Sequence, residues 1–197
     1  MILRYVLCAV IGYLLGSIST GVLLAKRAGH DIRNEGSKNT GATNALRVAG
    51  VRVGLLTFVL DCLKTVIAIV LGRLIGGEFC AMAAAFAVII GHNWPVFFGF
   101  KGGKGIACSC AAMVVLFPLQ GGIAAGLCVI VIALSKRVSL GSLVMLLAFA
   151  VLMCAMLPFW PYGAFAVAIA LVGILRHREN VKRLLSGTES TLSFKKK

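Results

Sequence analysis

Two polar stretches, each set between long apolar runs, hold the residues best suited to chemistry. The first reads Gly36-Ser37-Lys38-Asn39-Thr40-Gly41-Ala42-Thr43-Asn44, and seven of these nine residues are Gly, Ser, Thr or Asn. Gly36 and Gly41 let backbone N–H groups come close to an oxyanion, while Ser37, Asn39, Thr43 and Asn44 add side-chain donors. Arg47, one turn further on, can clamp a phosphate with two parallel hydrogen bonds. The second stretch runs from Gly91-His92 to Lys101-Gly102-Gly103-Lys104-Gly105 and is followed directly by an apolar segment. Gly102, Gly103 and Gly105 around Lys104 expose N–H groups beside a cation, and the helix start that follows offers its positive end to the same anion. The nucleotide-binding pattern Gly-x4-Gly-Lys-Ser/Thr fails here, at Phe98 and again at Gly105.

Two weaker clusters follow the same theme. Ser139 and Ser142 come just after Lys136-Arg137, and the tail carries Arg176-His177-Arg178-Glu179-Asn180, in which His177 and Asn180 at i, i+3 share a helix face. Each cluster taken alone has an ordinary reading. The first joint could simply cap two spans, the second could be a glycine turn with anchoring aromatics and a snorkelling lysine, and the basic tail could bind lipid head groups. Their common placement argues for more.

That placement follows from composition. Of 197 residues, 60% are hydrophobic and 13% charged, with a mean hydropathy of +1.00, a balance that belongs to membrane proteins. Apolar runs cover Leu3 to Ala25, Val53 to Leu74, Phe79 to Phe98, Ile106 to Phe117, Leu119 to Leu134, Val138 to Leu157 and Phe159 to Leu175. The sequence therefore predicts an all-α polytopic protein with about seven transmembrane helices, the fourth short enough to be re-entrant. Continuous rather than alternating apolarity argues against a barrel of strands. Lys and Arg gather on the cytoplasmic side of short loops, so their distribution orients the chain. Of the 20 basic residues, only Arg4, Arg73 and Lys64 fall outside the inner loops and tail when the N-terminus is placed outside and the C-terminus in the cytoplasm. Lys195, Lys196 and Lys197 count towards that inner tail. All four polar clusters then share the cytoplasmic face.

The same reading excludes several functions. The net charge of +14 is explained by this inner bias and by attraction to anionic lipid, and no basic region stands clear of the membrane to bind nucleic acid. Residues 1–25 resemble a secretion signal, but the run is long and Lys26-Arg27 stops it on the inner side, so it is read as a retained span. Cys8, Cys62, Cys80, Cys108, Cys110, Cys128 and Cys154 all lie in apolar segments without a CxxC pair, which fits small packing residues, with no metal site expected. Gly12-xxx-Gly16 and Gly122-xxx-Gly126 are both expected to allow close helix packing. Asp61 and Lys64, at i, i+3 inside the second span, are expected to neutralise one another as a structural pair or, alternatively, to orient site residues. Residues 1–197 read as a single membrane domain, with 176–197 as its cytoplasmic tail.

The three motifs formed by residues 36–44, by Gly91-His92 through Gly105, and by Arg176 to Asn180 with Gly187 resemble those of the bacterial acyl-phosphate-dependent glycerol-3-phosphate acyltransferases, in order and spacing over nearly the whole chain. Lys38 stands where many members carry Gly. The resemblance implies a seven-helix enzyme of the bacterial plasma (inner) membrane, with its active site facing the cytoplasm. Such an enzyme moves a fatty acyl group from acyl phosphate to the primary hydroxyl of glycerol 3-phosphate, giving lysophosphatidic acid and phosphate. It implies no cofactor, and a soluble enzyme that makes acyl phosphate as a further partner beside the bilayer. By resemblance, Ser37, Arg47, Lys104, His177 and Asn180 hold glycerol 3-phosphate, while Asn39, Gly41, Ala42, Thr43 and Ser142 cradle the acyl-phosphate head. Asn44, Gly102 and Gly103 complete the binding set, with Ser37, Lys104 and His177 as its catalytic members.

Both implied substrates carry phosphate, which accounts for two separate glycine-rich basic joints. His177 suits a general base by its ordinary pKa, and the departing phosphate is the alternative proton acceptor. His92, beside Asn93 and Pro95, reads as a structural hydrogen-bonding residue, and His30 as part of a surface loop. An anion transporter would instead place its polar groups near the bilayer midplane in broken, repeated helices. A passive scaffold would leave the Ser, Asn and Gly clusters without a purpose.

Overall fold

In the computed structural model, residues 1–192 are described; Lys195, Lys196 and Lys197, assigned above to the inner tail, lie outside the described residues. The described residues are 78% helix, with no strand among them. Among the described residues, five helical stretches are long and apolar enough to cross a membrane, six if one bent pair counts as a span, and Ile106–Leu116 remains a shorter apolar helix. The expectation of about seven thus resolves into five full-length spans, a bent pair and the segment already marked as short. Two compact units divide the chain, Met1–Val115 and Leu116–Lys197.

The first unit begins with α1 (Ile2–Gly16) and α2 (Thr20–Arg27), which the sequence reads as one run but which a break at Ser17, Ile18 and Ser19 separates. A short helix, α3 (Ala42–Ala49), follows the first joint and leads through Gly50 into α4 (Val51–Gly76). After Gly77 comes α5 (Glu78–Asn93), then a single 3-10 turn (Val96–Phe98) set by Pro95, and α6 (Ile106–Leu116). Helices α1 and α5 pack closely along one seam. A methyl group at Gly12 would collide with the Ala84 carbonyl and one at Gly16 with the Val88 carbonyl, so only glycine permits this approach. This outcome matches the expectation for the first Gly-xxx-Gly pair.

The second pair is a correction. In the second unit, α7 (Pro118–Ser135), α8 (Val138–Met156), α9 (Trp160–Arg176) and α10 (Arg178–Leu185) follow in order. Gly122 and Gly126 have nothing within 4 Å and are exposed, because the buried stripe of α7 runs instead through Gly121, Ala124 and Cys128. Pro118 and Pro161 stand in the first turns of α7 and α9, where a missing N–H costs no helical bond. Phe117 anchors an aromatic cluster, with its ring centroid 5.1 Å from Tyr162, 6.0 Å from Phe149 and 6.1 Å from Phe165. The outward helix faces carry large apolar side chains such as Leu55, Val70, Val129 and Leu171, all exposed, as a hydrocarbon solvent requires. Among the described residues the cysteines form no disulfide; Cys8, Cys80, Cys108 and Cys128 are buried, while Cys154 is exposed on an apolar helix face.

Candidate active site

The first joint folds around the side chain of Asn44. Its amide nitrogen donates to the carbonyls of Ile32 (2.9 Å), Glu35 (3.1 Å) and Asn39 (2.9 Å), while its oxygen accepts the Ser37 N–H at 2.8 Å. Asn44 is 2% exposed; its bond to Ile32 is buried and the other three are partly so. Asn39 adds a second brace by accepting the Gly41 N–H at 2.9 Å. Asp31 and Glu35 order the start of the loop, with Glu35 accepting the Asp31 N–H at 2.7 Å and Asp31 the Arg33 N–H at 3.1 Å. The braces bring Ser37, Asn39, Gly41, Ala42 and Thr43 around the N-terminus of α3, which no side chain caps. Ser37 itself is exposed, and Arg47 lies exposed in the last turn of the same helix. Lys38 holds φ +59, the left-handed region that favours glycine.

The second joint hangs on the end of α5. Gly103 donates its N–H to the His92 carbonyl at 3.0 Å, and Gly102 packs against the carbonyls of His92 and Asn93 and the ring of Pro95. Lys104 is half-buried between Gly103 and Gly105, two residues before α6 begins. Gly105 has φ +72, and its carbonyl accepts the Ser109 N–H at 2.7 Å, starting the first turn of α6. The lysine is therefore presented on a short backbone held from both sides.

In the second unit, the polar tail is organised by Glu189. Its carboxylate accepts hydrogen bonds from Ser139 Oγ (2.9 Å), Asn180 Nδ2 (2.7 Å) and Arg183 Nε (2.8 Å). A further bond, from Leu192 N–H to the Lys136 carbonyl at 2.7 Å, lays residues after α10 back onto the start of α8. Reading the sequence missed Glu189, whose only signal is an isolated acid in a basic tail. Burial would raise its pKa, but the bonds from Asn180, Arg183 and Ser139 and the Arg183 charge hold it below the usual glutamate range. A depressed value means stability that is present above the unfolded glutamate pKa and lost as pH falls through the folded one. Thermal unfolding of the detergent-solubilised protein is expected to show that acid limb. Glu189→Gln should flatten this limb and lower stability at neutral pH; an unchanged acid limb would disprove the role.

His177 sits at the junction of α9 and α10, where the axis turns by 65°. Its Nδ1 lies 2.8 Å from the Gly173 carbonyl, which can only accept, so Nδ1 carries the proton and Nε2 the lone pair of the neutral ring. His177 and Asn180 are both buried, at 2% and 5% exposure. Ser142 uses its hydroxyl within its own helix, bonding the Val138 carbonyl at 2.8 Å.

Asp61, His92 and Cys108 come close enough together to suggest a metal site. The Lys64 ammonium already occupies two of these ligands, 2.7 Å from Asp61 Oδ1 and 3.2 Å from His92 Nδ1, so a metal ion would have to compete with a built-in cation. The expected Asp61–Lys64 pairing is thus observed.

The sequence profile of the glycerol-3-phosphate acyltransferase family matches residues 6–187. The chain belongs to that family. It is 46% identical to the glycerol-3-phosphate acyltransferase of Thermoanaerobacter pseudethanolicus over 191 residues, covering 96% of each chain. With the corresponding protein of Clostridioides difficile it shares 41% identity, covering 99% of this chain and 98% of the relative. Among solved structures, it resembles the glycerol 3-phosphate form of PlsY, an integral membrane glycerol 3-phosphate acyltransferase, with a TM-score of 0.90 and 34% identity over 96% of both chains. The lysophosphatidic acid form of PlsY gives a TM-score of 0.87 at 31% identity. The protein is accordingly a multi-pass membrane acyltransferase.

Proposed function

We propose that the protein acylates the primary hydroxyl of glycerol 3-phosphate with a fatty acyl group taken from acyl phosphate, releasing lysophosphatidic acid and phosphate, as the first acylation of phospholipid synthesis. The observation that carries this reading is the likeness to PlsY in two ligand forms, glycerol 3-phosphate and lysophosphatidic acid, which differ by one ester-linked acyl chain. Acyl phosphate as donor is supported by the two glycine-rich basic joints, which together offer donors for two phosphoryl groups.

Acyl phosphate is a mixed anhydride with a good leaving group, so direct attack suffices without an acyl-enzyme. The hydroxyl oxygen adds to the acyl carbon, the bond from that carbon to the phosphate oxygen breaks, and the hydroxyl proton passes to His177 Nε2 or to the departing phosphate. Ser37, Arg47, Lys104, His177 and Asn180 hold glycerol 3-phosphate, and Asn39, Gly41, Ala42, Thr43 and Ser142 receive the acyl-phosphate head. Asn44, Gly102 and Gly103 shape the loops that present these groups. Lys104 also offsets negative charge growing on the phosphate or the tetrahedral oxygen. Holding both reactants in line lowers the barrier by making the encounter intramolecular.

In this reading, residues 1–197 act as one acyltransferase domain, with 176–197 as its cytoplasmic tail. The N-terminus is outside, the site faces the cytoplasm of a bacterial plasma membrane, and a soluble enzyme supplies the acyl phosphate. Purified protein given radiolabelled glycerol 3-phosphate should form lysophosphatidic acid with acyl phosphate, releasing equimolar phosphate, and not with acyl-CoA or acyl carrier protein. Equal rates from acyl-CoA would overturn the donor assignment.

A further inference from the structure

We propose that the buried cluster of Asp61, Lys64 and His92 is a positioning device that sets the backbone of the Gly102-Gly103-Lys104 loop and so the place of the Lys104 ammonium. The inference rests on the reading of Lys104 as a glycerol 3-phosphate ligand. All of its members lie in the first unit.

The cluster is shut off from solvent, with Asp61 at 1%, Lys64 at 6% and His92 at 7% exposure. Lys64 Nζ donates to the Gly16 and Ile18 carbonyls at 3.0 Å each, the first closing α1 and the second lying in the break before α2. The same ammonium meets Asp61 Oδ1 at 2.7 Å and His92 Nδ1 at 3.2 Å, while Thr20 Oγ1 donates to Asp61 Oδ1 at 2.9 Å. One charge pair thus ties the helix break to α4 and to the last turn of α5. A buried ion pair adds little net stability over an apolar filling of equal volume. What it does supply is direction, because its bonds fix the rotation of the His92 ring.

The opposite edge of that ring bears on the loop. A Cβ at Gly103 would strike His92 Nε2, and the ring carbons Cδ2 and Cε1 lie 2.9 Å and 3.0 Å from the same point. Gly103 also donates its N–H to the His92 carbonyl at 3.0 Å. The imidazole is therefore a spacer, with Nδ1 against the ion pair and Nε2 against the residue before Lys104. If the ring rotates, Gly103 cannot keep its position.

A purely structural role and a positioning role differ in which kinetic constant they move. In Asp61→Asn/Lys64→Met, which removes both charges together, the KM for glycerol 3-phosphate is expected to rise about tenfold or more while the KM for acyl phosphate stays within about threefold. Its thermal unfolding midpoint should stay close to that of the parent protein. A folded double variant with both KM values unchanged, or with both raised equally, would overturn the proposal. If that variant does not fold, the Gly103–His92 contact still decides. Gly103→Ala should raise the KM for glycerol 3-phosphate about tenfold and His92→Ala added to it should recover at least about threefold, a coupling that independent sites would not show. Additive effects would count against the proposal. Lys104→Ala, measured alongside, separates the two levels: wild-type behaviour there refutes the binding role of Lys104 itself, whereas loss there with silent cluster variants refutes only the positioning.

Discussion

Lys104→Ala is expected to reduce acyl transfer by about 100-fold or more, the loss typical of removing one preorganised donor to developing negative charge. Three features argue for an effect of that size. The side chain is half-buried, so its charge is less screened than a surface lysine's. Its backbone is pinned by the bond from Gly103 to His92 on one side and by the first turn of α6 on the other. Its location, just before the N-terminus of α6, adds the helix field to its own charge. Lys104→Arg should recover only part of the rate, since a planar guanidinium presents its donors differently from a compact ammonium. The check is the initial rate of labelled glycerol 3-phosphate incorporation per amount of protein in the membrane. Activity within about threefold of the parent would remove Lys104 from the site.

The second large effect belongs to Asn44. Its side chain makes four hydrogen bonds that close the first joint, and leaving buried loop groups unpaired costs about 1–3 kcal/mol apiece. Asn44→Ala is therefore expected to abolish measurable transfer and to lower the thermal midpoint. Asn44→Asp offers the sharper test. It keeps the oxygen that accepts the Ser37 N–H but sets a carboxylate against the carbonyls of Ile32, Glu35 and Asn39, so it should do at least as badly as alanine despite its nearly identical shape. An active Asn44→Asp protein would show that these carbonyls are not held by the amide.

Much of this was legible in the sequence, because bilayer thickness and backbone satisfaction leave few choices to an apolar run. The ends of α4, α7, α8 and α9 fall within one or two residues of the predicted runs. The break at Ser17 to Ser19 was hidden, since Ser17, Ile18, Ser19 and Thr20 interrupt hydropathy too little to register; its purpose emerges only with Lys64 bonded to the carbonyls there. The helix α3 was concealed by its length, eight residues whose apolar positions are interrupted by Thr43, Asn44 and Arg47 and whose packing partner is α4. Glu189 could not be found by periodicity, as its three partners come from α8 and α10. Asn44 was picked out as a donor to ligand, yet in the fold its hydrogen-bonding groups serve the loop. A residue's type can reveal that it bonds without revealing to what.

The seam where Gly12 and Gly16 meet the carbonyls of Ala84 and Val88 has a bearing on how the gene can drift. Lipid-facing positions ask only for oiliness, so leucine, valine and phenylalanine can trade places there over generations at little cost. Along the seam not even one methyl is admissible, and a single base change turning glycine into alanine would force the two helices apart. Neutral divergence should therefore gather on the greasy exterior, and the seam should change last.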